Sequence, residues 1–119
     1  ELIDAGAELI VTTAGLSVDP GDLTRQALYD AGLKDALYGA PVLPGSMTLV
    51  GRIERGGKSI PVIGLPACGL FFEITAFDLL LPRMLAGAPI DRAFLARMGH
   101  GGLCKLCKRC TWPKCGFGK

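Results

Sequence analysis

The sequence lacks the segments that would send it elsewhere or mark a familiar nucleotide site. Its start, ELIDAGAEL, has neither a basic segment nor a long apolar one, so no secretory signal is expected. Its apolar stretches are broken by Glu73, Asp78, Pro82 and Arg83, too soon for a membrane span. There is no G-x-G-x-x-G, no G-K-[ST] to close a P-loop, and no internal repeat. A cytoplasmic location is expected. The chain opens inside what reads as an αβ connection, which fits a piece whose upstream region is absent.

Net charge is also small. Thirteen basic residues face eleven acidic ones, or +2, but the total hides an asymmetry. Residues 1–103 carry 8 basic and 11 acidic residues, whereas Cys104 to Lys119 add Lys105, Lys108, Arg109, Lys114 and Lys119 with no acid. A basic tail can meet a nucleic-acid backbone or an acidic partner. It can equally compensate the charge of thiolates bound to a cation, and nucleic acid is the less favoured partner.

What is present is one modest core and a cysteine-rich end. At 119 residues and 50% hydrophobic, the chain is expected to be α/β: three layers, with a mostly parallel sheet flanked by helices. Two units are expected, an α/β body over 1–98 and a tail over 99–119. Leu2–Ala7 reads as the last turns of a helix, and Glu8–Thr13 as a buried strand. Asp22–Ala31 has helical spacing, with Asp22 as N-cap and Gly32 as stop. Met47–Glu54 and Ser59–Leu65 read as strands joined by Arg55-Gly56-Gly57-Lys58, a hairpin or near neighbour of one. A long apolar helix is expected from about Leu70 to Leu85, bent or cut by Pro82, and a short one over Ile90–Met98. The apolar circumference of the 70–85 segment predicts burial against the sheet or in a homo-oligomer contact.

Two strand-to-turn junctions stand out, VTTAGLSVDPGD at 11–22 and VIGLPACG at 62–69. In a parallel sheet such junctions lie at the carboxyl ends of strands, where ligands sit. Gly15 and Gly64 permit close backbone approach, Thr12, Thr13 and Ser17 bring hydroxyls, and Asp19 and Asp22 could ligate a divalent cation such as Mg²⁺. The expected site is an anion-binding crevice with acids on its rim. Gly-bearing turns are also how any α/β protein leaves a strand, and a cap role suffices for Asp22.

The run TTAGLSVDPGDLT resembles the TTGG(V/M/T)S segment of the molybdopterin-binding domain, the fold of molybdopterin adenylyltransferases and molybdopterin molybdenumtransferases. PGSM at 44–47 falls where that family has P-G-K-P, VIGLPACG where it has G-L-P-G-N-P, and LLLPRMLAG at 79–87 resembles its closing helix. The resemblance covers about residues 1–90. It implies a pterin-phosphate ligand, molybdopterin, held by Thr12, Thr13, Ala14, Gly15, Ser17, Pro44, Gly45, Gly64, Leu65 and Pro66, commonly in a trimer. It matches Asp22 to an acid beside the nucleotide–metal site of the adenylyltransferase branch, which makes Asp22 the candidate catalytic residue. The departures are specific: Ala14 replaces a glycine, Ser46 and Met47 replace Lys and Pro, and Ala67-Cys68-Gly69 replace Gly-Asn-Pro. The family's first strand, first crossover and acid-bearing loop have no counterpart in these residues.

Cys68, in the second junction, is either a soft ligand-facing thiol or a small structural residue. The end of the chain, CKLCKRCTWPKCGFGK, sets Cys104, Cys107, Cys110 and Cys115 in C-x2-C-x2-C-x4-C order. With no targeting segment, that run predicts ligated thiolates: a [4Fe–4S] cluster first, Zn second, disulfides or no metal third. Trp112 and Phe117 would cover the site or simply pack the tail, and His100 reads as an ordinary surface or hinge histidine. Three functions follow. The first is binding of molybdopterin in cofactor biosynthesis, handling or sensing. The second is a non-catalytic module whose basic four-cysteine tail docks a protein or nucleic-acid partner. The third is an adenylyl- or molybdenum-transferase completed by an upstream region.

Overall fold

The computed structural model describes residues 1–119, and its elements divide around one sheet. In chain order they are β1 (Ile10–Thr13), α1 (Thr24–Asp30), β2 (Leu33–Tyr38), β3 (Leu49–Arg55) and β4 (Lys58–Leu65). A 3-10 turn (Ala67–Leu70), α2 (Ala76–Leu85), α3 (Arg92–Met98) and a second 3-10 turn (Gly99–Gly101) follow. The strands lie in the order β1-β4-β3-β2.

This sheet corrects the mostly parallel expectation. Only β1 and β4 run parallel, while β2–β3 and β3–β4 are antiparallel. The cause is local. Gly56 (φ 58°) and Gly57 (φ 76°) form a two-residue turn that returns β3 directly into β4. β2 was not foreseen as a strand. Its register shifts between Lys34 and Leu37, and Asp35 sits at φ 51°, so its apolar residues do not alternate.

The sheet separates two apolar clusters. On one face Ile10, Leu16, Leu49, Ile53, Ile60 and Val62 pack with Leu28 of α1. On the other, Val50 and Ile63 pack with Ala76 and Leu80 of α2, Leu95 and Met98 of α3, and Phe117 near the end of the chain. Each fully buried Leu or Ile contributes about 1.5–3 kcal/mol.

The helices also differ from expectation. Residues 1–7 form hydrogen-bonded turns, Ala5 N to Glu1 O (2.9 Å) and Ala7 N to Leu2 O (3.1 Å), with no helix. α1 starts at Thr24, its N-cap is Leu23, and no side chain caps it. The stretch from Leu70 breaks at 71–75 before α2 begins. There Thr75 caps the new helix, accepting from Phe77 N while the Asp78 carboxylate accepts from Thr75 N (2.8 Å), a full capping box. Pro82 stays inside α2. No helix is long and apolar enough to cross a membrane.

Candidate functional site

β1 and β4 pair in parallel with Thr12 opposite Gly64 and Thr13 opposite Leu65. The two junctions singled out in the sequence therefore leave the sheet side by side, from neighbouring carboxyl ends. Ala14 N donates to Leu65 O (2.9 Å), which ties the first turn to the second. Leu16 is fully buried, and a Cβ at Gly64 would stand 2.7 Å from its Cδ1. The absent side chain at Gly64 is thus filled by Leu16.

The first turn is tight. Ala14 (φ 63°) and Gly15 (φ 68°) both occupy the left-handed region, which costs an alanine about 1–2 kcal/mol. Thr24 N donates to Gly15 O (3.2 Å), and a Cβ on Gly15 would lie 2.1 Å from Thr24 Oγ1, so this glycine is required by packing. Tyr38 donates its hydroxyl proton to Leu16 O, fixing the turn to β2. Thr13 is exposed and Ser17 half-buried on the rim. Thr12 Oγ1 is buried with no hydrogen-bond partner. An orphaned hydroxyl of this kind costs about 1–3 kcal/mol and is satisfied only by a hydrogen-bonding atom brought within reach of it.

The Pro44–Met47 loop meets the second junction, at 62–69. Gly45 (φ 113°) lies against the start of α2, where Ala76 N donates to Pro44 O (3.0 Å). Thr48 Oγ1 donates to Gly45 O (2.7 Å) and holds the loop from below. The Cys68 thiol lies within reach of the backbone N–H groups of Cys68, Gly69 and Gly45, so Pro44–Gly45 and Pro66–Gly69 share one corner. Burial pushes the thiol up from its ordinary value, and those N–H groups only partly offset it. Cys68 is consequently a neutral thiol at pH 7, not the activated thiolate that a helix start would give. The positive end of α2 is already occupied by Asp78 and Pro44 O.

The acids have local partners. Asp22 Oδ2 accepts from Asp19 N (3.3 Å) while Asp22 N donates to Asp19 O (2.9 Å), closing the 19–22 turn. Asp22 also borders a shallow cavity on α1 with Arg25, Gln26, Tyr29 and Tyr38. There the Arg25 guanidinium lies 4.4 Å from the Tyr38 ring centroid. Neither residue is singled out by the sequence: Tyr38 lies on the unexpected strand β2, and Arg25 gains its partner only when β2 is placed beside α1.

The cysteine tail departs most from expectation. Cys104, Cys107, Cys110 and Cys115 are free and border one cavity of about 760 Å³, but no group of three His, Cys, Asp or Glu side chains is placed to hold a metal ion. The expected metal-binding tail, whether [4Fe–4S] or Zn, is therefore corrected. The segment is instead a loop closed at both ends. Leu43 N donates to Gly102 O (2.7 Å), Cys104 N to Leu43 O (2.9 Å) and Gly118 N to Gly101 O (2.8 Å). Phe117 is buried in the main cluster, with Trp112, Cys104 and Cys115 packed beside it. Those apolar anchors hold Cys104 and Cys115 on the body while Cys107 and Cys110 stay exposed, so the thiols do not converge.

The sequence profile of the family described as "Probable molybdopterin binding domain" matches residues 1–86. The chain belongs to this family. No curated protein matches it. In this molybdopterin-binding domain the match ends within the first residues after α2, so α3 and the cysteine loop lie beyond it.

Proposed function

We propose that this chain binds molybdopterin and serves the biosynthesis, handling or sensing of the molybdenum cofactor. The observation that carries the reading is the parallel register of Thr12 with Gly64, which sets two family-like turns beside a buried hydroxyl without a partner. The Thr12 hydroxyl would meet a ligand polar atom, and Thr13 and Ser17 would donate to phosphate oxygens. In this reading the exposed Ala14 and the half-buried Gly15 and Leu65 would flank the ligand, and the buried Gly64 and Pro66 would hold those turns in place from behind. Pro44 and Gly45, buried against α2, would support the neighbouring Cys68 thiol, and Asp19 would stand at the outer edge of the first turn. Bound molybdopterin brings a dithiolene that takes molybdenum.

Binding is proposed without a catalytic role for Asp22, whose Oδ2 accepts from Asp19 N in its own turn. Adenylyl or molybdenum transfer would need acids and any Mg²⁺ ligands from upstream residues. In the same reading the exposed Leu70, Phe71 and Leu85 are a contact surface of a homodimer or trimer. Anaerobic fluorescence titration with molybdopterin and its adenylated form tests the proposal. Saturable binding to one site per chain supports it, and no binding of either compound by the full-length protein removes it.

A further inference from the structure

Cys107 and Cys110 play no part in the binding site, and nothing in the fold absorbs them. Both are exposed, whereas Cys104 and Cys115 are half-buried against the core. The backbone turns at Leu106 (φ 49°) and bends again at Lys108 and Arg109, between the two thiols. Both thiols border the same cavity of about 760 Å³, whose other walls include Phe71, Phe72, Leu106 and Trp112. Lys105 and Glu73 are the charged side chains lining it, with Lys108 and Arg109 on the bend itself. The loop is fastened at Gly102–Cys104 and at Phe117–Gly118, so the bend can change its bonding without unpacking the body.

We infer that Cys107 and Cys110 form a dithiol that exchanges with anionic low-molecular-weight disulfides at the mouth of this cavity. A dithiol two residues apart on an exposed, locally cationic bend has the access and setting that thiol–disulfide exchange requires. One cysteine thiolate attacks a sulfur of the small disulfide, forming a mixed disulfide and releasing one small thiol. The second cysteine thiolate attacks the Sγ of the first cysteine in the mixed disulfide, closing the Cys107–Cys110 bond and releasing the other small thiol. The small disulfide gains two electrons, the cysteine pair loses two, and the two cysteine protons pass to the departing thiolates. Lys105, Lys108 and Arg109 favour carboxylate-bearing disulfides on approach.

The test uses the reduced full chain, in buffer containing a metal chelator, treated with glutathione disulfide, quenched in acid, alkylated and digested with trypsin. Each tail cysteine falls in a separate tryptic peptide, because Lys105, Lys108, Arg109 and Lys114 separate them. The expected product has lost two hydrogens and joins Leu106–Lys108 to Cys110–Lys114. Cys107→Ser and Cys110→Ser should each retain a glutathione adduct that the wild type resolves, while Cys104→Ser and Cys115→Ser should still form the joined peptide. At low salt the cationic disulfide cystamine should react more slowly than glutathione disulfide, and added salt should remove the difference. A bond to Cys104 or Cys115, a persistent wild-type adduct, thiols inert to exchange, or cystamine reacting as fast at low salt would overturn the inference.

Discussion

Thr12 and Gly64 face each other across the parallel β1–β4 pair, and the hydroxyl of the threonine is buried without a partner. Two effects of Thr12→Val follow, with opposite signs. Removing an unsatisfied buried hydroxyl should raise ligand-free stability by about 1 kcal/mol, since its desolvation is no longer uncompensated. The same change should weaken molybdopterin binding, because the side-chain group offered to the ligand is gone. Urea midpoints at unchanged slope and the anaerobic titration read the two effects separately.

Ala14 carries a Cβ at φ 63°, next to Gly15 at φ 68°. Ala14→Gly relieves the left-handed strain of about 1–2 kcal/mol but frees the unfolded chain by roughly 0.5–1 kcal/mol. The net expectation is a gain of about 0.5–1 kcal/mol in thermal or urea unfolding. The change also recreates the glycine pair of the resembled TTGG segment, so molybdopterin affinity should rise. A fall in both stability and affinity would mean that the Ala14 methyl packs usefully.

The strand ends and turns around this candidate site were legible because their signals are local. The run from Thr12 to Ser17 and the run from Gly64 to Pro66 each mark a strand leaving through a turn, and the β3–β4 hairpin is written in Gly56 and Gly57. That hairpin makes one pair antiparallel, but the second antiparallel pair, β2–β3, was not legible, because the bulge at Asp35 hides the alternation of β2. The backbone partner of Asp22, Asp19 N, is a contact that spacing cannot reveal. The cysteine spacing is that of a ligand set, yet the apolar anchors Trp112 and Phe117 decide where the thiols go. Sequence spacing fixes reach along the chain, but convergence of side chains is set by what the intervening residues pack against.

Gly45 and Gly57 both have positive φ but different surroundings. A Cβ on Gly45 (φ 113°) would stand 2.5 Å from Ala76 Cβ and 2.7 Å from Ala76 N, whereas one on Gly57 (φ 76°) meets nothing within 4 Å. Gly57→Ala should therefore cost about 1 kcal/mol of backbone strain, and Gly45→Ala roughly 3 kcal/mol or more as overpacking adds to it. Parallel urea unfolding of the two variants checks the difference. Equal costs would show that the Pro44–Gly45 loop yields easily and is not held against α2.

Cys68 links stability to alkaline pH. Burial raises its thiol above the unfolded value, so the folded state keeps its proton over a range where the unfolded chain has lost it. The stability contributed by the neutral thiol is complete below the unfolded value, about pH 8.5, and is lost as pH rises through the folded value. Cys68→Ser should flatten this alkaline decline in urea midpoints measured from pH 7 upward. At neutral pH, iodoacetamide should label Cys107 and Cys110 well before Cys68, as peptide mapping would show.

Phe117 follows the last cysteine by two positions, and it is only 4% exposed in the main cluster. Its burial makes the cysteine loop part of the body's packing, beside Ile74, Leu80 and Met98. Phe117→Ala should cost about 3–5 kcal/mol, the range for emptying a buried aromatic site. Trp112→Ala, at a half-buried position, should cost less. The close backbone approaches agree: a Cβ on Gly101 would lie 2.2 Å from Lys119 O, and one on Gly118 would lie 2.6 Å from Leu79 Cδ2. Gly101→Ala should therefore loosen the loop while leaving Phe117 in place, giving faster trypsin cleavage at Lys108 and Arg109 with a smaller fall in the urea midpoint. If Phe117→Ala leaves the midpoint unchanged, the loop is an independent appendage, and the packing that separates Cys104 and Cys115 from the exposed pair has another origin.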